Sequence, residues 1–263
     1  GITKFSNFIA LILLARILNN DELGLYGVFV TSLLIVTSFG NLGIRQSSAY
    51  LIGQNRLTDG NALVSALALW PVLALIGGIF VWTILINTKD YITTNLLYVA
   101  MLAVSSLLIV QFCQGIFMGR NEIRWLNLVD VLPRLLLIPS VLLIEIFVSL
   151  HGTVSLWIFA GCLTITAFIG LWLARPTAHF PNLNSLNVIL IVQRGIPYAT
   201  ALFISTLTIQ IAIILVGLRL DPEDASYFFI ASRLNGLPVE AATAMALVLF
   251  SHTTRQSIAS EAL

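Results

Sequence analysis

Charge is scarce in this sequence. Only 10% of its 263 residues are Asp, Glu, Lys or Arg, whereas a soluble domain carries about a quarter. So few polar groups cannot cover the surface of a water-soluble globule. A hydrophobic content of 58% and a mean hydropathy of +0.97 agree. The net charge is +1, which provides no field to gather nucleic acid, and no nucleic-acid partner is expected. The two cysteines, Cys113 and Cys162, both sit in apolar runs, so they form neither a disulfide framework nor a metal set. His151, His179 and His252 lie far apart with no ligand spacing. No metal and no cofactor are expected. No glycine-rich loop closing on Lys and Ser or Thr occurs, which argues against direct ATP drive. No secretory leader is expected, because the first apolar segment runs into another without a small-residue cleavage site. The chain starts at Gly1 and stops soon after an apolar run, so a fragment of a longer protein is expected.

Long apolar runs fill the rest. A membrane helix needs about 20 such residues. Eight spans are expected, over residues 3–18, 25–40, 62–86, 96–119, 132–150, 154–174, 197–218 and 226–250. The runs are continuous rather than alternating, which favours helices over strands. If the spans alternate, Lys4, Arg45, Arg56, Arg120, Arg124, Arg134, Arg175, Arg194 and Arg255 share one side, leaving Arg16, Lys89 and Arg219 on the other. That bias places the amino terminus in the cytoplasm. Residues 41–61 and 175–196 are the two longer cytoplasmic stretches. In the second, Leu186, Ile189, Leu190 and Gln193 recur at i, i+3, i+4 and i+7, which predicts an amphipathic helix on the membrane surface. Opened by Arg175-Pro176, this stretch is the best candidate linker.

The last span is the most unusual. Residues 227–250 carry Arg233 and Glu240, with Gly236 and Pro238 between them. A charge at mid-membrane costs about 3 kcal/mol on insertion scales and marks a functional position by default. The two charges share a face, roughly 10 Å apart. Pro238 and Gly236 form a candidate hinge, since proline removes a helical hydrogen bond. Arg233 is then a candidate cavity cation, and Glu240 a coupling group or its charge partner. The competing reading is that Arg233 snorkels to the headgroups.

An internal echo supports a boundary after six spans. LARILNNDELGLYGVFVTS at 14–32 and LVGLRLDPEDASYFFIASR at 215–233 align with a shift of 201 residues. Glu22 then meets Glu223, and Tyr26 meets Tyr227. Repeats about an axis normal to the membrane are a known transporter plan, with the site between the halves.

The segment ARILNNDELGLYGVFVTS, followed by FGNLGIRQSSAYLIGQ, resembles the start of bacterial polysaccharide flippases of the multidrug/oligosaccharidyl-lipid/polysaccharide exporter superfamily. GIPYATALFIS and LDPEDASYFFIASRL resemble the start of that family's second lobe. The resemblance covers most of the chain on loose patterns. It implies an all-α polytopic membrane protein of about eight helices here: a six-helix amino-terminal lobe over 1–174, a cytoplasmic amphipathic linker over 175–196, and a truncated second lobe over 197–263. It also implies flipping of an undecaprenyl-diphosphate-linked oligosaccharide (an O-antigen or lipopolysaccharide precursor) across the bacterial inner membrane. Partners would be membrane lipids, a polysaccharide polymerase and chain-length proteins. Arg16 matches the arginine that ends the first helix in related lipid flippases, and Arg45 a basic position after the second.

Such a cargo needs fixed positive charge, and Arg offers bidentate geometry for phosphate. Arg233, Arg45 and Arg16 are the candidate diphosphate ligands. Gln111, Gln114, Asn41, Thr208 and Gln210 are candidates for the glycan. The blander reading makes Arg45, Arg120, Arg124 and Arg134 positive-inside anchors, Arg16 an interface residue, and Gln111 and Gln114 interhelical hydrogen bonders. Glu145 is a further membrane carboxyl near a span end. A cation-coupled drug exporter of the same superfamily would be expected to hold a carboxylate in the first or seventh span, and neither has one. A membrane glycosyltransferase or polymerase would need a larger outer platform than these short turns provide. A non-transporting interaction protein is the remaining alternative.

Overall fold

The computed structural model describes residues 2–88, 95–148, 152–175, 184–221 and 223–235. The regular elements among them are all α-helices: α1 (Ile2–Ile17), α2 (Asn20–Gly40), α3 (Ile44–Gly53), α4 (Asp59–Asn87), α5 (Asn95–Gly119), α6 (Ile123–Val148), α7 (Gly152–Leu173), α8 (Ser185–Arg219) and α9 over 223–235. The fold is that of a polytopic all-α membrane protein. Five of these helices, α2, α4, α5, α7 and α8, are long and apolar enough to cross a bilayer. The bundle has an α3 end and an opposite end, where α1 turns into α2 and α8 into α9.

Helix α5 is the axis of the bundle. It touches α2, α3, α4, α6 and α7 and buries residues on nearly every side, from Leu96 to Phe117. A helix that is apolar all round belongs in the middle. Lipid is as apolar as leucine, so close fit rather than water exclusion holds membrane helices together. α4 supplies the fit with buried Ala62, Ala66, Ala74, Gly77 and Gly78. A Cβ on Gly77 would lie 2.9 Å from both Val36 and Val104. The faces turned away from the bundle carry exposed Val72, Ile76, Phe80, Ile165 and Phe168, as lipid contact requires. Trp125, Trp157 and Trp172 are exposed near helix ends, where an interfacial belt forms. Trp70 is not a belt residue: its Nε1 donates to the Ser105 carbonyl at 3.0 Å and ties α4 to α5.

Three boundaries depart from the hydropathy reading. First, residues 41–61 contain α3, whose buried Ile44, Ser47, Ser48 and Leu51 mark one helical face. Second, α6 starts at Ile123 rather than at 132. Asp130 therefore lies inside the helix, and Arg134, expected as a positive-inside anchor near the start of a span, sits about 16 Å along the axis from the start of α6. Third, the expected surface helix is not separate: residues 185–196 continue through Pro197 into the next span as one 35-residue helix. Proline in a helix interior removes one donor, and membrane helices tolerate it where neighbouring groups compensate. Here the Thr200 hydroxyl bonds the Ile196 and Pro197 carbonyls at 2.7 and 3.2 Å. At 1.5 Å per residue α8 is roughly 52 Å long, so its polar leading third extends beyond a hydrocarbon core of about 30 Å.

The corner between α2 and α3 is tight. Leu42 and Gly43 both adopt left-handed backbone, with φ of 49° and 67°. The Asn41 side chain closes the turn: its Oδ1 accepts from the Gly43 amide at 2.7 Å, and its Nδ2 donates to Gln111 Oε1 at 2.5 Å. Gly43 lies directly on Gly195 of α8, backbone against backbone, with no room for a side chain on either.

Candidate functional site

Charged residues inside a membrane bundle are rare and need a reason. Four of them, all partly buried, influence one another or one buried phenol across α2, α3, α6 and α9. Arg45 stands in the first turn of α3. Its carbonyl and Cα press on Gly115 of α5, where a Cβ would meet them at 2.6 and 2.9 Å. That contact fixes where the side chain starts. Arg45 is half-buried, and its Nε is buried with no hydrogen-bond partner among the described residues. Burial pulls this guanidinium below its ordinary pKa, and the Asp130 carboxylate pushes it back up. Asp130 belongs to α6, so this influence reaches Arg45 from a helix other than the α4, α5 and α8 that pack on α3. The neighbouring Gln46 Oε1 is likewise buried without a partner among the described residues.

One turn along α6, Arg134 Nη1 lies 3.7 Å from Asp130 Oδ1 and donates to the Asp130 carbonyl at 2.5 Å. Arg134 and Arg233 both lie within electrostatic reach of the buried Tyr26 hydroxyl on α2. The Tyr26 ring meets Phe159 of α7 edge-on at 5.9 Å. Arg233 itself is half-buried and stacks over the Phe229 ring at 5.1 Å. Phe229 is buried against Gly27 of α2, where an added Cβ would lie 2.7 Å from the ring. Among Arg45, Asp130, Arg134, Tyr26 and Arg233 only Asp130 and Arg134 pair directly; the others act on one another at longer range.

The other expected site residues fall variously. Gln111 is half-buried and held by Asn41, and Gln114 is buried in α5. Arg16 is exposed in the last turn of α1. It is separated from Arg45 by the whole length of α2, roughly 30 Å, so the two cannot grip one diphosphate. Thr208 is exposed and its hydroxyl returns to the Ile204 carbonyl. Glu145 is exposed in α6. Glu240, Gly236 and Pro238 lie outside the described residues. Asp130 and Arg134 were not among the expected site residues. Their signal was available: an acid four residues before a base is a helical pair, and DVLPRL continues without a break from IRWLNL.

Two further polar clusters close the ends. At the α3 end Arg120 pairs with Asp59 at the start of α4 and with Glu122 at 3.7 Å. It also donates to the Ala174 and Arg175 carbonyls at 3.3 and 2.9 Å. An open cavity of about 640 Å³ adjoins it, lined in part by Arg56, Asn61 and Asn187. At the opposite end Asn20 Nδ2 donates to Glu223 Oε1 at 3.1 Å and to the Tyr227 hydroxyl at 3.2 Å, while that hydroxyl donates to Glu223 at 2.9 Å. The two turns that echo each other in sequence therefore touch in space. No group of three or more potential metal ligands occurs among the described residues.

Searches of curated proteins and of solved structures found no match. A family profile described as "Polysaccharide biosynthesis protein" matches residues 1–250. An all-helical membrane bundle and a match over nearly the whole chain converge, and the chain belongs to the polysaccharide biosynthesis protein family.

Proposed function

We propose that this protein moves a lipid-linked oligosaccharide, carried on an undecaprenyl-type diphosphate, from the cytoplasmic to the outer leaflet of the bacterial inner membrane. It acts as a transporter rather than an enzyme, and its amino terminus faces the cytoplasm. The observation that carries the reading is the buried Arg45 Nε, without a hydrogen-bond partner among the described residues, in a bundle of this family, with Arg134 a further guanidinium on α6. Two guanidiniums on different helices suit the several oxygens of a diphosphate, because Arg binds phosphate through paired N–H donors. Asn41 and Gln111 lie close by and offer hydrogen bonds to sugar hydroxyls. The polyprenyl tail stays in lipid. Rocking of α9 against the first lobe would expose the site to each side in turn. A small-molecule exporter has less need of two arginines on separate helices, and the short turns favour transport over sugar transfer.

The direct test places the full chain in vesicles with lipid-linked oligosaccharide in one leaflet and follows its appearance in the other. Wild type is expected to move it without nucleotide. The double variant Arg45→Gln/Arg134→Gln is expected to slow transfer by about a hundredfold, since each lost charge-assisted bond is worth about 1.5–3 kcal/mol. Equal rates with and without protein would end the reading. Appearance of a longer or altered glycan would instead establish a glycosyltransferase or polymerase.

A further inference from the structure

We infer that the cavity at the α3 end is a sugar site: it takes a neutral, hydroxyl-rich segment of glycan rather than a phosphate, a metal ion or a lipid tail. The inference rests on the transport reading above for the source of that glycan, the head group of the cargo. It adds a docking place lined by none of Arg45, Arg134 and Arg233.

Two helices end side by side to make this cavity. The Arg56 amide donates to the Leu51 carbonyl at 2.9 Å, and the Glu122 amide to the Phe117 carbonyl at 2.8 Å. Each bond closes a helix, α3 or α5, through an asparagine in left-handed backbone: Asn55 at φ 56° and Asn121 at φ 58°. Asparagine is one of the few side chains that accept this conformation at a helix end. Ile52 of α3 fills the space where a Cβ on Gly119 of α5 would stand, 2.7 Å away, so the two turns pack on each other. Arg120 ties the second turn to Asp59 at the start of α4. Asn187, from the first turn of α8, completes the wall. The volume of about 640 Å³ falls within the ~300–1,000 Å³ of small-molecule sites. A cradle already held by capped helix ends and an ion pair needs little ordering when a ligand arrives, which favours affinity.

The lining selects among ligands. Its charges balance, Arg56 and Arg120 against Asp59 and Glu122, and Arg120 is already engaged by both acids. A phosphate would meet those two carboxylates and the partial negative ends of α3 and α5. Arg56, just beyond the end of α3, offsets that helix dipole. The first amides of α4 would otherwise suit an anion, but they are taken. Gly60 donates to Asp59 Oδ1 at 2.8 Å, and Asn61 to Thr58 Oγ1 at 3.3 Å. A metal ion lacks a ligand set, since no group of three or more potential ligands occurs among the described residues. A lipid tail or apolar drug needs a mostly apolar wall, and Ile52 and Leu57 are the only large apolar side chains here. What remains are neutral groups that both donate and accept. The side chains of Asn55 and Asn187 hydrogen-bond to no described residue, and each carboxamide offers two donors and an acceptor oxygen. A sugar hydroxyl also donates and accepts, so adjacent hydroxyls on a ring answer such groups in pairs.

The test uses the full chain in phosphatidylcholine nanodiscs. The probe is the free oligosaccharide released by mild acid from lipid-linked oligosaccharide, with binding followed by saturation-transfer NMR. Wild type is expected to bind it. The double variant Asn55→Gly/Asn187→Ala should weaken binding about tenfold, the worth of two hydrogen bonds. Glycine keeps the left-handed backbone at 55 and alanine suits a helix at 187, so the fold is retained. A second check needs no variant: excess inorganic phosphate should change the wild-type affinity by less than about twofold. Absence of binding to wild type, an unchanged affinity in the double variant, or displacement by phosphate each overturns the sugar site and leaves the transport reading to the vesicle assay. Failed transfer in vesicles with sugar binding intact removes the transport reading and leaves the site standing.

Discussion

Gly43→Ala is expected to destabilise the protein by about 3 kcal/mol or more, and Gly195→Ala by about 1–3 kcal/mol. Two costs meet at Gly43. Its φ of 67° is left-handed, which costs an L-residue roughly 1–2 kcal/mol. A Cβ there would also run into the Gly195 carbonyl of α8, and forcing atoms into a packed contact costs about 1–3 kcal/mol. Backbone cannot swing aside as a long side chain does. Gly195 incurs only the second cost, since its new Cβ would meet the Leu42 carbonyl. The difference between the two variants thus isolates the backbone term. Reversible unfolding in mixed detergent, monitored by helical circular dichroism, measures both. A loss below about 1 kcal/mol for Gly43→Ala would mean that α3 and α8 do not meet in this way.

Arg120→Gln is expected to cost about 3 kcal/mol, because removing one partner of a largely buried ion pair strands the other. The side chains of Arg120 and Asp59 are only 11% and 12% exposed. Arg120 also satisfies carbonyls at the end of α7, at Ala174 and Arg175, which otherwise lack intrahelical partners. One guanidinium thereby joins the start of α4, the end of α5 and the end of α7. Asp59→Asn should cost less, since an amide still accepts one bond. The double variant should lose less than the sum of the singles by more than about 1 kcal/mol, the signature of direct coupling. Strict additivity would show that Arg120 acts through the α7 carbonyls alone. The bland reading of Arg120 as a positive-inside anchor predicts almost no loss of stability.

Hydropathy made the fold class legible because the bilayer imposes one length and one composition on every crossing segment. The same rule misplaced the start of α6. A window that penalises charge stops short of Asp130, whereas the chain sets Asp130 against Arg134 one turn on and stays helical. It also hid the continuity of α8, because Pro197 reads as a boundary until Thr200 is seen bonding the carbonyls around it. α3 escaped because ten residues with serines on the buried face look like a loop when judged by apolarity alone. Among the site residues, Arg45 and Arg233 stood out as isolated charges in or beside apolar runs. Their relation to Asp130 and Tyr26 depends on how α2, α3, α6 and α9 cross, which no local pattern encodes. Arg16 shows the opposite failure, a plausible residue type placed at the wrong end of its helix pair.

The length of α8 has a mechanical consequence. It is clasped at three levels: Gly195 against Gly43 near its start, Phe203 against Phe39 with ring centroids 5.2 Å apart, and Gly217 against Val28 near its end. A beam pinned at three points has no freedom to tilt about any of them. α8 is therefore held along its length as one rigid unit with α2 and α3.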